Sequence, residues 1–498
     1  MADQIPSKEE FSKEPSNEEA TKNAKSTGKN TLMLLFGTFF RMVITFGFIL
    51  YAADRLGVSG FGVYSIGVQF FELFLGLAGT AIAIILTRDI SRWKNRGSEL
   101  MTSACILALT LAFLGAGCMV GLTFLFGFSP VTSQVMWIAS VALLPAAISA
   151  VFEATLVAHH RAEFVALAVS IESTVRILAS IAAIALGYGL FSLFVILLVS
   201  RLLQLMVFFV SVRHVTGYRF RFGRIGFVRF VYRWRVFAAE VSLAAIYYNL
   251  DVIVLSWLTS EYVVGLYSAA SRVVRLAAVF AQTYTAAVFP LLAKLHQRSK
   301  VEFEKVSLET IRLMAVFAIP IIICTTLLAD RVIGTLYFSG KYVEAVPVLQ
   351  VLIWTLLSEF FNPFLSRNLS ARGRQDRPLI VAAIGLAVNL VATLALVPYY
   401  GAVGAALGTV ISNSVAMLCL FLYALRSDEI FTTLNSMSRV LLASIVVGFA
   451  IFLVSSANLA VITVIAIAIY LVLILLLKVV GHQDLQLLKS IVAAKKAA

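Results

Sequence analysis

Apolar stretches long enough to cross a bilayer follow one another along almost the whole chain, separated by short polar connections. A helix needs about 20 predominantly apolar residues to span the ~30 Å hydrocarbon core. Fourteen such stretches can be read, beginning near residues 32, 62, 101, 132, 163, 190, 236, 262, 309, 343, 379, 402, 439 and 460. The pattern predicts an all-α polytopic membrane protein of about 14 transmembrane helices. The ends depart from it. Residues 1–30 hold five lysines and six acidic residues with almost no apolar content, which predicts a disordered cytoplasmic tail. They lack the apolar stretch and cleavage site of a secretory signal peptide, so the first span is expected to direct insertion. Residues 481–498 are expected to form a second cytoplasmic tail.

The pattern also repeats. GVSGFGVYS (57–65) aligns with SEYVVGLYS (260–268) at an offset of 203, and GYGLFSLF (187–194) with YYGAVGAA (399–406) at an offset of 212. AHHRAEF (158–164) and ARGRQDR (371–377) correspond as well, each lying between two spans. Six spans return the chain to the face on which it began. The repeats are therefore parallel, related by a pseudo-two-fold axis along the membrane normal. The expected organisation is a six-helix lobe at 31–212, a basic linker at 213–235, a second six-helix lobe at 236–426 and two additional helices at 427–480. Substrate sites in proteins of this build lie between the repeats.

Charge supplies the orientation. The 498 residues are 60% hydrophobic and only 13% charged, with a net charge of +14. Such an excess invites a nucleic-acid reading, and its distribution argues against one. With the N-terminus in the cytoplasm and connections alternating in side, cytoplasmic segments hold 31 of the 40 Lys and Arg residues. External connections hold three, Arg55, Arg331 and Lys341. That asymmetry is the positive-inside signature of a plasma-membrane (inner-membrane) protein with both termini inside. The linker alone carries seven arginines interleaved with aromatics, and is expected to lie on the cytoplasmic membrane surface.

The remaining six basic residues are arginines within spans: Arg41, Arg176, Arg201, Arg272, Arg275 and Arg312. A charge at membrane depth costs at least ~2.5–3.5 kcal/mol on insertion scales, so it faces a bundle interior or a water-filled cavity. Guanidinium groups along such an interior point to an anionic substrate. In span eight, Ser268, Arg272, Arg275 and Gln282 fall on one helical face. Arg272 and Arg275 offer adjacent forks suited to phosphate oxygens, with Arg41 as a third candidate. Span two carries Ser65, Gln69, Glu72 and Gly76 at the same spacing. Under the offset of 203, Gln69 corresponds to Arg272 and Glu72 to Arg275, so a carboxylate and a guanidinium could pair across the cavity as a gate. Arg176 has Glu172 four residues before it, the order that favours an intrahelical ion pair. Arg201 has no acid one turn away and needs a partner from elsewhere. In span seven, Glu240 and Asp251 could bind a coupling proton or Na⁺, or act as counter-ions for the arginines. The pattern leaves both open.

Several chemistries find no support. The four cysteines (Cys105, Cys118, Cys324, Cys419) fall within spans without metal-ligand spacing, as small buried hydrophobes do. All five histidines lie in connections or the tail, and Asp-x-Asp is absent. Gly334 to Gly340-Lys341 has five intervening residues rather than four, so it is not a phosphate-binding loop. No catalytic residue, metal or cofactor is expected.

The opening of span two, Leu56-Gly57-Val58-Ser59-Gly60-Phe61-Gly62-Val63-Tyr64-Ser65, and its end, Thr87-Arg88-Asp89-Ile90-Ser91-Arg92, resemble the first signature of polysaccharide-transporter flippases. These belong to the multidrug/oligosaccharidyl-lipid/polysaccharide exporter superfamily. Asp251 with Val264-Gly265-Leu266-Tyr267-Ser268, Gly340-Lys341-Tyr342, and Tyr400-Gly401-Ala402-Val403-Gly404-Ala405-Ala406 extend the resemblance over roughly 31–480. It implies two six-helix lobes around a central cavity that opens alternately to either side. The implied cargo is a lipid-linked oligosaccharide, carried on a polyprenyl diphosphate from the cytoplasmic to the outer leaflet for envelope polysaccharide. Membrane lipids, a coupling proton or Na⁺, and glycan polymerase or ligase machinery are the implied partners, around a monomer. Two alternatives remain: a drug/cation antiporter of the same superfamily, whose cavity should be mainly acidic, and a membrane glycan ligase or polymerase, which needs a large external loop.

Overall fold

The computed structural model describes residues 17–93, 96–217, 221, 223–425, 427–453 and 459–476. For residues 17–41 and 427–436, and for scattered helical positions including Glu240, it describes the backbone alone. The chain divides into a unit of residues 1–44 and 480–498 and a compact body of residues 45–479, and the packing below concerns that body. Every regular element among the described residues is helical. In order they are α1 (Asn17–Leu75), α2 (Ala81–Arg92), α3 (Gly97–Leu125), α4 (Pro130–Ala158), α5 (Ala162–Ala185), α6 (Gly189–Thr216), α7 (Arg224–Leu258), α8 (Glu261–Arg298) and α9 (Lys300–Leu327). The short α10 (Ala329–Leu336) and α11 (Val346–Leu352) follow, then α12 (Thr355–Ala371), α13 (Asp376–Ala424), α14 (Ser427–Leu453) and α15 (Leu459–Leu476).

Among the described residues, ten helices are long and apolar enough to cross a membrane. Two of them, Met42–Arg92 and Asp376–Ala424, have 51 and 49 residues. At ~1.5 Å per residue each is more than twice as long as a bilayer core is thick. Each breaks once at a glycine with left-handed backbone, Gly57 (φ 71°) and Gly401 (φ 53°), and so supplies two spans. A π-helical turn at Gly76–Thr80 joins α1 to α2 without interrupting the second of these. Counted with the shorter apolar helices Met437–Ile451 and Val464–Ile474, this is the fourteen-span pattern of the sequence.

Two expectations change. Helix α1 begins at Asn17, so half of the segment expected to be disordered is helical. Its Glu, Ala and Lys residues are good helix formers continuous with the span behind them. Likewise the basic segment 213–235 is mostly not a connection. Gly217 (φ 59°) ends α6, and α7 starts at Arg224, so four of its seven arginines, Arg224, Arg229, Arg233 and Arg235, lie in the first turns of a 35-residue helix.

Helices α3 to α6 pack on one another, as do α7 to α9 with α11 to α13; α14 lies on α9, and α15 on α14. Leu328, Val447, Ile451 and Ile462 make the apolar core of that last attachment, and Tyr470 Oη donates to the Val316 carbonyl at 2.6 Å. The repeat survives to atomic detail in one turn. His160 (φ 58°) and Gly373 (φ 75°) are equivalent and both left-handed. Around them Arg161 N donates to Leu156 O at 2.9 Å, and Arg374 N to Leu369 O at 3.0 Å, in the same register.

Candidate functional site

The two halves meet at their equivalent glycines. Gly62 and Gly265 differ by the offset of 203, and each lies against the backbone of the other half. A Cβ on Gly62 would overlap the Glu261 carbonyl, and one on Gly265 would overlap the Val58 carbonyl. Val58 and Glu261 are themselves equivalent, so the contact is reciprocal, as a two-fold axis through the crossing requires. Small residues permit backbones to approach this closely. One turn deeper, Ser65 and Ser268, also equivalent, are 0% and 2% exposed, and neither hydroxyl has a hydrogen-bond partner among the described residues. On this same face Thr132 donates to Glu261 at 3.0 Å, Phe126 stacks on Trp257, and Tyr342 Oη donates to the Ala53 carbonyl at 2.8 Å. This face is sealed.

Below the seal the first polar groups are Gln69 and the α8 arginines. With its amide oriented by its neighbours, Gln69 donates to Asn249 Oδ1 at 2.6 Å and accepts from Arg275 Nη2 at 2.9 Å. Glu72, expected opposite Arg275, is near enough to Arg272 and Arg176 for its carboxylate to act on both electrostatically. The reason is the axis. A two-fold pairs i with j′ and j with i′; only residues on the axis meet their own equivalents. Gln69 meeting the counterpart of Glu72 therefore implies Glu72 meeting the counterpart of Gln69, and that is Arg272. Arg275 also interacts with Glu359 of α12. Arg275, Gln282 and Glu72 are exposed, while Arg272 is half-buried. The span-eight stripe thus divides: Ser268 belongs to the sealed crossing and the rest to the space beneath.

Arg176 Nε donates to Glu172 Oε1 at 2.8 Å, one turn away. Arg201 donates to Gln204 Oε1 at 2.9 Å and lies 5.5 Å from the centre of the Phe71 ring. Both arginines line, with Glu72, a cavity of about 80 Å³ among the first-half helices. The side chains of Arg41 and Glu240 lie outside the described residues.

Asp251 sits in the second half among neutral donors from three helical segments. Tyr267 Oη donates to Oδ2 at 2.7 Å and Asn389 Nδ2 to Oδ1 at 3.0 Å. Asn389 also donates to Ser412 at 3.1 Å, and Thr409 lies 3.3 Å from Tyr267 Oη. Residue spacing did not reveal these partners, because α8 and both parts of α13 supply them.

The opposite, basic face carries a second junction. Asp89, only 1% exposed, lies 3.1 Å from Arg233 Nη1 of α7 and 3.4 Å from Arg88 Nη2. The Arg233 guanidinium is 4.7 Å from the centre of the Trp93 ring. Glu99 fills the space over Gly223 and Gly226, and Arg221 N donates to Thr102 Oγ1 at 3.2 Å. Sequence reasoning placed Asp89 in a motif without giving it this role.

Two halves of six spans, crossing on an axis with charge beneath, define a multi-pass transporter fold. That fold is shared with the lipid II flippase MurJ in an inward closed conformation, with a TM-score of 0.74 at 18% identity over 91% of this chain and 99% of that one. It is shared too with an inward-facing multidrug resistance MATE family transporter of the MOP superfamily, with a TM-score of 0.65 at 17% identity over 80% and 95%. The family described as polysaccharide biosynthesis protein matches residues 53–347, and the chain belongs to it. A relative, the probable flippase AglR of Haloferax volcanii, is 23% identical over 396 residues, 76% of this chain and 79% of the relative.

Proposed function

We propose that the protein moves a polyprenyl-diphosphate-linked oligosaccharide across the plasma membrane by alternating access, with Arg272 and Arg275 holding the diphosphate. The carrying observation is the placement of these guanidiniums beneath a glycine crossing on the pseudo-two-fold axis. There a swing of the halves exposes them to one face and then the other. The positive-inside distribution makes the basic face cytoplasmic. Flippase-named relatives support the cargo class. The likeness to a multidrug transporter is one of fold, and an arginine-lined interior suits an anion better than a cationic drug. The lipid tail remains in the bilayer while glycan and diphosphate cross in the wet interior.

The test is translocation of a fluorescent polyprenyl-diphosphate oligosaccharide in proteoliposomes. Each charge-assisted hydrogen bond lost is worth ~1.5–3 kcal/mol, so Arg272→Ala/Arg275→Ala is expected to lower transport at sub-saturating substrate at least tenfold. Unchanged transport by a folded double variant would make the pair structural. Cation-dependent dye efflux without glycan transport would favour the antiporter.

Asp251 is the proposed coupling group for a proton or Na⁺. A carboxylate within a span, held by neutral donors, is suited to exchange its cation with each cycle. Asp251→Asn preserves the shape and removes the charge. The expected outcome is transport that no longer responds to an imposed proton or Na⁺ gradient. Full gradient dependence in that variant would remove Asp251 from coupling.

A further inference from the structure

A second cavity opens on the basic face, about 30 Å along α8 from Arg275. Its described walls come from the end of α8, the start of α9, the turn between α12 and α13, and the end of α13. Ser299 caps α9, its Oγ accepting from Glu302 N at 3.3 Å, and the helix then presents Lys300 and Glu304 on one side. The buried ring of Phe303 positions two more groups. The Arg372 guanidinium lies 5.0 Å from its centre and the His296 ring 5.1 Å. Arg374 follows the left-handed Gly373. Its equivalent in the first half, Arg161, pairs with Glu163 at 3.2 Å. The acid equivalent to Glu163 is Asp376, which pairs with Arg377 at 3.4 Å, while Arg374 lines the cavity. Three permanent cations, Lys300, Arg372 and Arg374, thus stand against one carboxylate, Glu304.

We infer that this cavity binds the headgroup of an anionic phospholipid from the leaflet at the basic face. Its volume of about 400 Å³ is that of an ordinary small-molecule site and admits many headgroups, so charge rather than size selects. The excess of cations favours a phosphodiester of net negative charge over a zwitterionic one, whose ammonium they repel. The phosphate sits among Lys300, Arg372 and Arg374, and headgroup hydroxyls donate to Glu304. The rim makes that phosphate a lipid's. Leu422 at the cavity edge, Leu418 and Ile411 are exposed on one face of α13. They run ~16 Å from the cavity, the depth of one leaflet of a ~30 Å core. An acyl chain lies along this rail while its headgroup occupies the cavity. A soluble phosphate ester would leave the rail unused.

The experiment is native mass spectrometry of the full-length chain in detergent, titrated with phosphatidylglycerol or phosphatidylcholine. The first phosphatidylglycerol is expected to bind at least roughly tenfold more tightly than phosphatidylcholine, since each basic group at a membrane surface contributes about fivefold. That ratio should fall to about one in Lys300→Gln/Arg374→Gln, which alters two exposed positions. It should persist in Lys294→Gln/Arg298→Gln, which removes two exposed charges of α8 outside the cavity. Glycerol 3-phosphate at the lipid's concentration should not displace it. Equal binding of the two lipids, or a ratio that survives Lys300→Gln/Arg374→Gln, would overturn the inference. So would an equal loss in Lys294→Gln/Arg298→Gln, which would mean attraction to the basic face at large. Displacement by glycerol 3-phosphate would assign the cavity to a soluble phosphate ester and overturn the lipid.

Discussion

Gly62→Leu is expected to abolish transport, a loss of at least ~100-fold, and to leave the protein open on the face opposite the basic one. The argument is steric. At Gly62 even a first side-chain carbon overlaps the Glu261 carbonyl, which is backbone and cannot rotate away. Moving a two-state equilibrium from 1:99 to 99:1 takes ~5.5 kcal/mol, and a carbon inside a carbonyl's van der Waals envelope costs more than that. The sealed state is thereby removed, and a transporter confined to one state does not cycle. The reciprocal contact makes Gly265→Leu the internal control: it meets the Val58 carbonyl and should behave identically. The direct readout is Ser268→Cys in a chain whose four native cysteines are replaced. Ser268 is 2% exposed beneath the crossing, so a membrane-impermeant thiol reagent should label it from the opposite face slowly in the wild type, which opens this face for only part of each cycle, and rapidly when a leucine holds the crossing apart. Wild-type transport with Leu at either glycine would show that the crossing is not a gate.

That crossing was half-legible in the sequence. The alignment of GVSGFGVYS with SEYVVGLYS put Gly62 and Gly265 in register, but nothing in a single chain says that equivalent residues touch. The spans were readable because ~20 apolar residues are a strong signal, and the breaks at Gly57 and Gly401 separate stretches already distinct in pattern. Arg272 and Arg275 stood out because a charge in an apolar helix is costly. Their partners did not. Gln69 is neutral and ordinary in sequence, and the pairing of Gln69 with Arg275 rather than Glu72 with Arg275 follows from where the axis passes. The donors to Asp251, Tyr267 and Asn389, are separated from it in sequence and are joined only by the packing of α7, α8 and α13. Similarly, charge-rich residues 17–30 read as disorder by composition, while their helix propensity reads the other way.

The two faces are held by different physics, and the difference has a consequence for folding energy. The sealed face is closed by backbone contact and apolar stacking, with its hydrogen bonds at the rim. The basic face is closed by a buried charge. Asp89 is 1% exposed, with Arg233 at 3.1 Å on one oxygen and Arg88 at 3.4 Å on the other. Arg88 is itself half exposed, so its screening of Asp89 is weak. Arg233→Gln is therefore expected to strand a buried carboxylate and destabilise the closed basic face by roughly 3 kcal/mol, the lower end of the cost of breaking a buried pair. In detergent this should appear as a lowered unfolding midpoint and as faster amide exchange over residues 224–235. Arg233 also lies over Trp93 at 4.7 Å, and a cation–aromatic contact of this kind contributes ~0.5–2 kcal/mol. A double-variant cycle separates the two contributions. If the charge pair dominates, Asp89→Asn/Arg233→Gln is more stable than Arg233→Gln alone, because the stranded charge has gone. If the stacking dominates, the double variant is no better than the single one, and Arg233→Lys, which keeps the charge and loses the planar face, is nearly as damaging as Gln. The buried position of Asp89 favours the first outcome, and equal midpoints for the single and double variants would refute it.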